Sequence, residues 1–193
     1  MPRAPAAWLQ VGPRAEEWGG ALTFESTRTS QVILYSGGIA MISRRKFASA
    51  LGARALKVSA VVYVAARAPD VGEDYTALAK KFPTPPASAG IVFDGDEGSL
   101  TESAFLRDFA GDLPEARARV LYAVQQPFHK ALLTGKTKQA AWRSKPSFYA
   151  VSTEDRTINP DLERFMAKRM RATTIEVKAS HVSLISHPQE IAA

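Results

Sequence analysis

Two of the chain's three histidines fall within KASHVSLISHP, Lys178–Pro188. An imidazole titrates near neutrality, so it works as a general base wherever a carboxylate orients it and a nucleophile lies within reach. The carboxylates that could orient one are Glu154 and Asp155, in the loop STEDRTINP after the apolar run PSFYAVS. The chain holds no cysteine, which excludes disulfides and thiolate nucleophiles, and its histidines show no HxxxH spacing. No metal and no cofactor is expected on these grounds.

PSFYAVS reads as a strand, and INPDLERFMAKRMRA as a helix with Asn159 as cap, Pro160 at its first position and Leu162, Phe165, Met166 and Met170 as its buried stripe. TTIEVKA reads as another strand, alternating Ile175 and Val177 with Glu176 and Lys178. Strand, helix and strand in this span form a βαβ unit, whose right-handed crossover makes the strands parallel and puts their C-terminal ends on one edge. Glu154 and Asp155 leave the first strand at that edge and His181 leaves the second, and open α/β sheets place their sites there. Asp155 is better placed than its rival Glu154, being a short carboxylate just before a helix cap. A histidine after a strand is also commonly a hydrogen-bonded or surface residue. His187 precedes Pro188 and suits a turn or helix start, and His129 reads as a helix-surface residue.

Upstream, VSAVVYVAA from Val58 is a continuous apolar, β-branched run of the kind buried in a parallel sheet, closed by ARAPD. The next seventy or so residues read as an inserted helical region. SLTESAFLRDFAGD has Thr101 or Ser99 as N-cap with Phe105, Leu106 and Phe109 on one face, while PEARARVLYAVQQ and PFHKALLTGK each open with proline. Phe105, Leu121, Phe128 and Trp142 are expected to line an apolar pocket beneath this insertion. The first forty residues follow neither helical nor strand period, apart from QVILYS, Gln31–Ser36, a short apolar strand followed by Gly37 and Gly38.

The net charge of +6 is uneven: residues 1–57 hold eight Lys and Arg against three Asp and Glu, and the remainder seventeen against sixteen. With no aromatic platform beside the basic residues Arg44 to Lys57, no nucleic-acid partner is expected. No apolar run reaches the roughly 18 residues of a membrane-spanning helix.

VVYVAARAPD, the insertion with FPTPP and QQPF, YAVSTEDRTINPDLERFMAKRM and EVKASHVSLISHP together resemble the C-terminal half of α/β-hydrolases, specifically the esterase-like group related to plant methyl esterases and hydroxynitrile lyases. The likeness runs from about Val58 to Ile191. It implies an α/β fold: a partial α/β-hydrolase, mainly parallel sheet flanked by helices, with a helical cap over residues 71–145 and an irregular N-terminal part. The domain division it implies is an atypical basic segment 1–57 and a hydrolase part 58–193. By the likeness Asp155 matches the triad acid and His181 the triad base, the chemistry being serine attack on a small ester or acyl substrate.

The departures from the family lie in the N-terminal part. No glycine-rich oxyanion loop and no GxSxG elbow stands where the family carries them. The nearest candidate nucleophile is Ser36 in LYSGGI, which follows an apolar strand and precedes Asp155 and His181 in order. Two residues before it stands Leu34 instead of glycine, which crowds the turn. Ser43–Ala48, SRRKFA, resembles a twin-arginine export signal after Met41. A start there, joined to the latter half of a hydrolase whose intervening strands are lost, is one expectation; a basic amphipathic helix that spells SRRKF is the other. Location is accordingly cytoplasmic, or exported if that segment acts as a signal. Three functions compete: an esterase impaired by its unrecognisable elbow; a non-catalytic module that binds a small molecule with histidine and aspartate as anchors; and, ranked last, a binder of anionic surfaces through the basic segment Arg44 to Lys57. A sheet lacking early strands exposes an apolar edge, so self-association is expected in any of these cases.

Overall fold

The computed structural model describes residues 58–193 and two earlier strands, β1 (Thr23–Glu25) and β2 (Gln31–Ser36). The twin-arginine-like stretch and most of segment 1–57 lie outside the described residues. β3 (Val58–Val64), β7 (Ser147–Ser152) and β8 (Thr173–Val177) complete a five-stranded sheet in the order β1-β2-β3-β7-β8. All neighbours are parallel except β1, which pairs antiparallel with β2 at one end. QVILYS is thus a strand of the main sheet, and its last residue, Ser36, is the register partner of Val64.

Parallel neighbours share a C-terminal edge, and everything of chemical interest leaves from it. Helix α5 (Pro160–Met170) makes the β7-to-β8 crossover: Asn159 caps it by accepting from the Asp161 N–H at 2.9 Å, and Pro160 occupies the first turn. The helix ends on Arg171 in the left-handed region (φ 54°). Its buried face is Leu162, Glu163, Met166 and Met170, packed with Tyr149, Val151, Ile158, Leu78 and Ala68 into the main core. The buried stripe expected from the sequence is corrected at one position: Phe165 is half exposed and Glu163 is inside.

Between β3 and β7 the insertion departs from the all-helical expectation. After a short helix α1 (Tyr75–Ala79) and a 3₁₀ turn, the strands β4 (Ile91–Asp94), β5 (Glu97–Leu100) and β6 (Phe128–His129) form a small antiparallel sheet. A two-residue turn joins β4 to β5, with Gly95 at φ 59° supplying the left-handed conformation that such hairpins need. His129 therefore sits on a strand, its Nδ1 accepting the Ala131 N–H at 3.1 Å. Helix α2 (Glu102–Ala104), capped by Thr101, runs into one widened turn over Phe105–Phe109, closed by the Ala110 N–H on the Phe105 carbonyl. Helix α3 (Glu115–Ala123) follows, then the short α4 (Ala131–Thr134). The chain closes with α6 (Ser183–Ser186) and α7 (Pro188–Ala192). Among the described residues no helix is long and apolar enough to cross a membrane.

Candidate active site

The loops after β7 and β8 are laced together at the common edge. The Thr153 N–H donates to the Val177 carbonyl at 2.9 Å and the Glu154 N–H to the Ala179 carbonyl at 3.1 Å. This brings the buried Asp155 and His181 into contact, with Asp155 Oδ2 2.6 Å from His181 Nδ1. The other carboxylate oxygen, Oδ1, accepts the N–H groups of Thr157 (2.6 Å) and Ile158 (3.0 Å), which fixes the carboxylate plane. Burial by itself would push the Asp155 carboxyl up. The charge and hydrogen bond of His181 lead the interactions, with the Ile158 N–H among them, that outweigh it and hold the group below the usual carboxylate range.

An ionised Asp155 dictates the histidine tautomer: Nδ1–H donates to Oδ2, and Nε2 keeps its lone pair. Nε2 is buried and has no hydrogen-bond partner among the described residues. The imidazole face rests against the Phe109 ring, centroids 4.9 Å apart. Phe105, Ala110, Ala118 and Val182 form the small core under this contact, with Leu121 and Ile185 packed against it.

The remaining candidates separate cleanly. Glu154 is exposed and lies 3.6 Å from Lys178, so it does not approach His181. Ser36 is the terminal residue of β2, one strand beyond β3 on the edge that bears Asp155 and His181. His187 places Nδ1 2.9 Å from Ser186 Oγ, away from Asp155. Ser183 accepts the Ser152 hydroxyl at 2.8 Å, and Ser180 bonds Asp112 through both its N–H (3.0 Å) and its hydroxyl.

A cleft of about 580 Å³ borders Asp155, lined by Arg107, Asp112, Thr153, Glu154, Arg156 and Ser180. Charged side chains share its lining with apolar surface, and none of the four apolar residues expected from the sequence is among them. Phe105 and Leu121 do pack toward the His181 loop. Trp142 instead packs on the main core, and Phe128 stacks edge-on to Phe93 in the small sheet. Asp108, fully buried, anchors Arg107 and Arg156 at 2.6 and 2.7 Å. The hydrogen bond from Arg107 leads the interactions that keep its carboxyl below the usual range. Among the described residues no group of three or more His, Cys, Asp or Glu could hold a metal ion.

Sequence reasoning missed Asp112, Phe109's role against His181, and Glu163. For Glu163 a signal existed. It stands three residues before Met166 and seven before Met170, on the same helical face, while Phe165 falls off it.

Comparison with known proteins agrees with this architecture. The solved structures it resembles include a polyneuridine aldehyde esterase, 17% identical with a TM-score of 0.57, the match covering 70% of this chain and 60% of that one. Another is an extracellular α/β-hydrolase from a Paenibacillus species, described as sharing structural and functional homology with tobacco salicylic acid binding protein 2 (20% identity, TM-score 0.54, 71% and 60% covered). A third is a pyrethroid hydrolase from Sphingobium faniae JZ-2 (19% identity, TM-score 0.51, 70% and 58% covered). At such identities the likeness is one of fold, and the match spans about three fifths of the relatives' length. No curated protein sequence matches. A family model described as "Alpha/beta hydrolase family" matches residues 12–193, taking in β1 and β2 as well as the Asp155 and His181 loops. By that match, and by a parallel sheet whose edge carries the carboxylate and the imidazole, this chain belongs to the α/β-hydrolase family.

Proposed function

We propose that this chain holds the acid and base of a serine-esterase site for small acyl esters, with turnover impaired at the nucleophile. The observation that carries it is the buried 2.6 Å Asp155–His181 contact, with Nε2 unpartnered among the described residues. A carboxylate that fixes one ring nitrogen and leaves the other free to take a proton is the acid–base half of acyl transfer. The esterase relatives and the shared fold support the same substrate class.

Ser36 is the candidate nucleophile: it ends β2 on the proper edge and precedes Asp155 and His181 in the chain. Leu34, two residues before it, stands where the family's elbow has glycine, and the sequence supplies no glycine-rich oxyanion loop. Without preorganised donors, acyl transfer forgoes a contribution of about a hundredfold or more in rate. Residues 71–145 are assigned as the cap over the site, on the strength of Phe109 against His181.

A fluorophosphonate carrying a fluorophore, followed by peptide mass mapping, tests this reading. The expected result is no adduct on Ser36 under conditions that label an active serine hydrolase fully. A stoichiometric adduct on Ser36 that vanishes in His181→Ala would show a working elbow and overturn the assignment of impairment.

A further inference from the structure

We propose that Asp108 is a positioning residue for the Asp155–His181 pair: from its place in the insertion, its carboxylate and carbonyl fix the loop that carries the acid against the loop that carries the base. This rests on the acid–base reading of that pair and adds to it a group from another part of the fold.

Asp108 stands in the widened turn Phe105–Phe109 with 0% of its surface exposed. A buried carboxylate is costly unless cations or donors meet it, and here two guanidiniums do. Its chain neighbour Arg107 grips it with two nitrogens, Nε 3.0 Å from Oδ1 and Nη2 2.6 Å from Oδ2. That fork already neutralises the carboxylate. The second guanidinium comes from the far side of the insertion: Arg156 Nε reaches Oδ1 at 2.7 Å. What Arg156 adds is therefore a tie, from the insertion to the residue that follows Asp155.

The tie is doubled on the backbone. The Asp108 carbonyl accepts the Thr157 hydroxyl at 3.2 Å, and the Thr157 N–H is the donor that meets Asp155 Oδ1 at 2.6 Å. The residues one and two places after Asp155 are thus both bonded to Asp108. The Arg156 carbonyl accepts the Ala87 N–H at 3.0 Å, a further bond from the insertion to the same short loop. One residue beyond Asp108, the Phe109 carbonyl lies 3.2 Å from the hydroxyl of Ser180, the residue before His181, and the Phe109 ring rests on the imidazole. Two successive carbonyls, of Asp108 and Phe109, therefore meet one hydroxyl from each loop. The turn spaces the two loops, and the Arg156 ion pair locks that spacing. Bonds that merely fastened the insertion could fall anywhere along the sheet edge; these fall on the neighbours of the acid and the base.

Solution NMR on protein with labelled histidine rings tests this through the His181 Nδ1–H proton, assigned by its loss in His181→Ala. In the wild type that proton should lie downfield and exchange slowly, as a 2.6 Å bond to a carboxylate requires. In Asp108→Ala and in Arg156→Ala it should move upfield and exchange at least about tenfold faster, because the pair opens more often. Asp108→Asn keeps an acceptor for Arg156 and should restore most of the protection. The two alanine variants change the local charge in opposite senses, so a purely electrostatic effect shifts the resonance in opposite directions. Opposite shifts, or no change in either variant, would overturn the proposal. Met170→Ala, at the end of α5 remote from this edge, controls for lost stability and should change the exchange by less than about twofold. Comparable acceleration there would reduce the effect to general loosening and overturn the proposal as well. Arg156 has a half-exposed side chain whose truncation leaves no cavity, so its measurement decides even if Asp108→Ala fails to fold. None of these measurements involves turnover. An unchanged Nδ1–H in both variants leaves the esterase reading standing, whereas a wild-type His181 with no carboxylate-bound proton would overturn both.

Discussion

The aromatic ring of Phe109 lies 4.9 Å from the imidazole of His181, tilted by 51°, so a residue from the insertion covers the face of a residue from the main sheet edge. Phe109 also packs on Phe105 at 4.7 Å, which ties that cover to the small core beneath α3. Phe109→Ala is expected to destabilise the protein by about 2–3 kcal/mol, below the ~3–5 of a fully buried phenylalanine because this ring is partly exposed. Water would then reach the imidazole, so the Nδ1–H proton should exchange faster. Chemical denaturation and solvent-exchange NMR on one sample check both.

Glu163 has a sign-definite effect on stability. Its folded carboxyl titrates above the unfolded value of 4.5, so the folded state keeps a proton that the unfolded state releases. That contribution to stability is fully present below pH 4.5 and is lost as pH rises toward the folded value. Glu163→Gln removes the dependence. The variant should match wild type at pH 4 and gain on it by up to about 1.4 kcal/mol per pH unit above pH 5. Urea unfolding at pH 4, 6 and 8 measures the trend; parallel curves for the two proteins would contradict it.

Asp112 holds the His181 loop from the other side. Its carboxylate accepts the Ser180 N–H and hydroxyl and the Ser186 hydroxyl at 2.7 Å, with His187 Nδ1 3.5 Å away. Burial would raise its carboxyl, and the Ser180 and Ser186 hydrogen bonds more than offset that, leaving it below the ordinary value. The stabilisation is therefore present above about pH 4 and lost as pH falls through the folded value. Asp112→Ala should cost about 2–3 kcal/mol at pH 7 and progressively less below pH 4. A loss that is the same at pH 3 and pH 7 would refute the ionic part of this role.

The sequence made the β7–α5–β8 unit legible because its signals are redundant: an apolar strand, Asn159 and Pro160 at a helix start, and apolar residues at helical spacing. Shared strand direction then puts Asp155 and His181 on one edge. Where only one signal existed, the reading failed. Ranking by hydrophobicity put Phe165 inside α5, while the position facing the core, in line with Met166 and Met170, belongs to Glu163. The β4–β5 hairpin has strands of only four residues, too short for alternation to stand out, although Asp94-Gly95 marked its turn. The widened turn at Phe105–Phe109 breaks the 3.6-residue period that would have announced it.

Pre-steady-state hydrolysis of p-nitrophenyl acetate, run on the protein, Ser36→Ala and His181→Ala, tests the central assignment most directly. An intact Asp155–His181 pair behind a disabled nucleophile gives slow release with no burst, unchanged in Ser36→Ala and reduced in His181→Ala, because the paired imidazole activates water or attacks the ester. A burst of p-nitrophenol stoichiometric with protein, abolished by both substitutions, would contradict it: LYSGGI would then be a working elbow despite Leu34, and the chain a competent serine esterase.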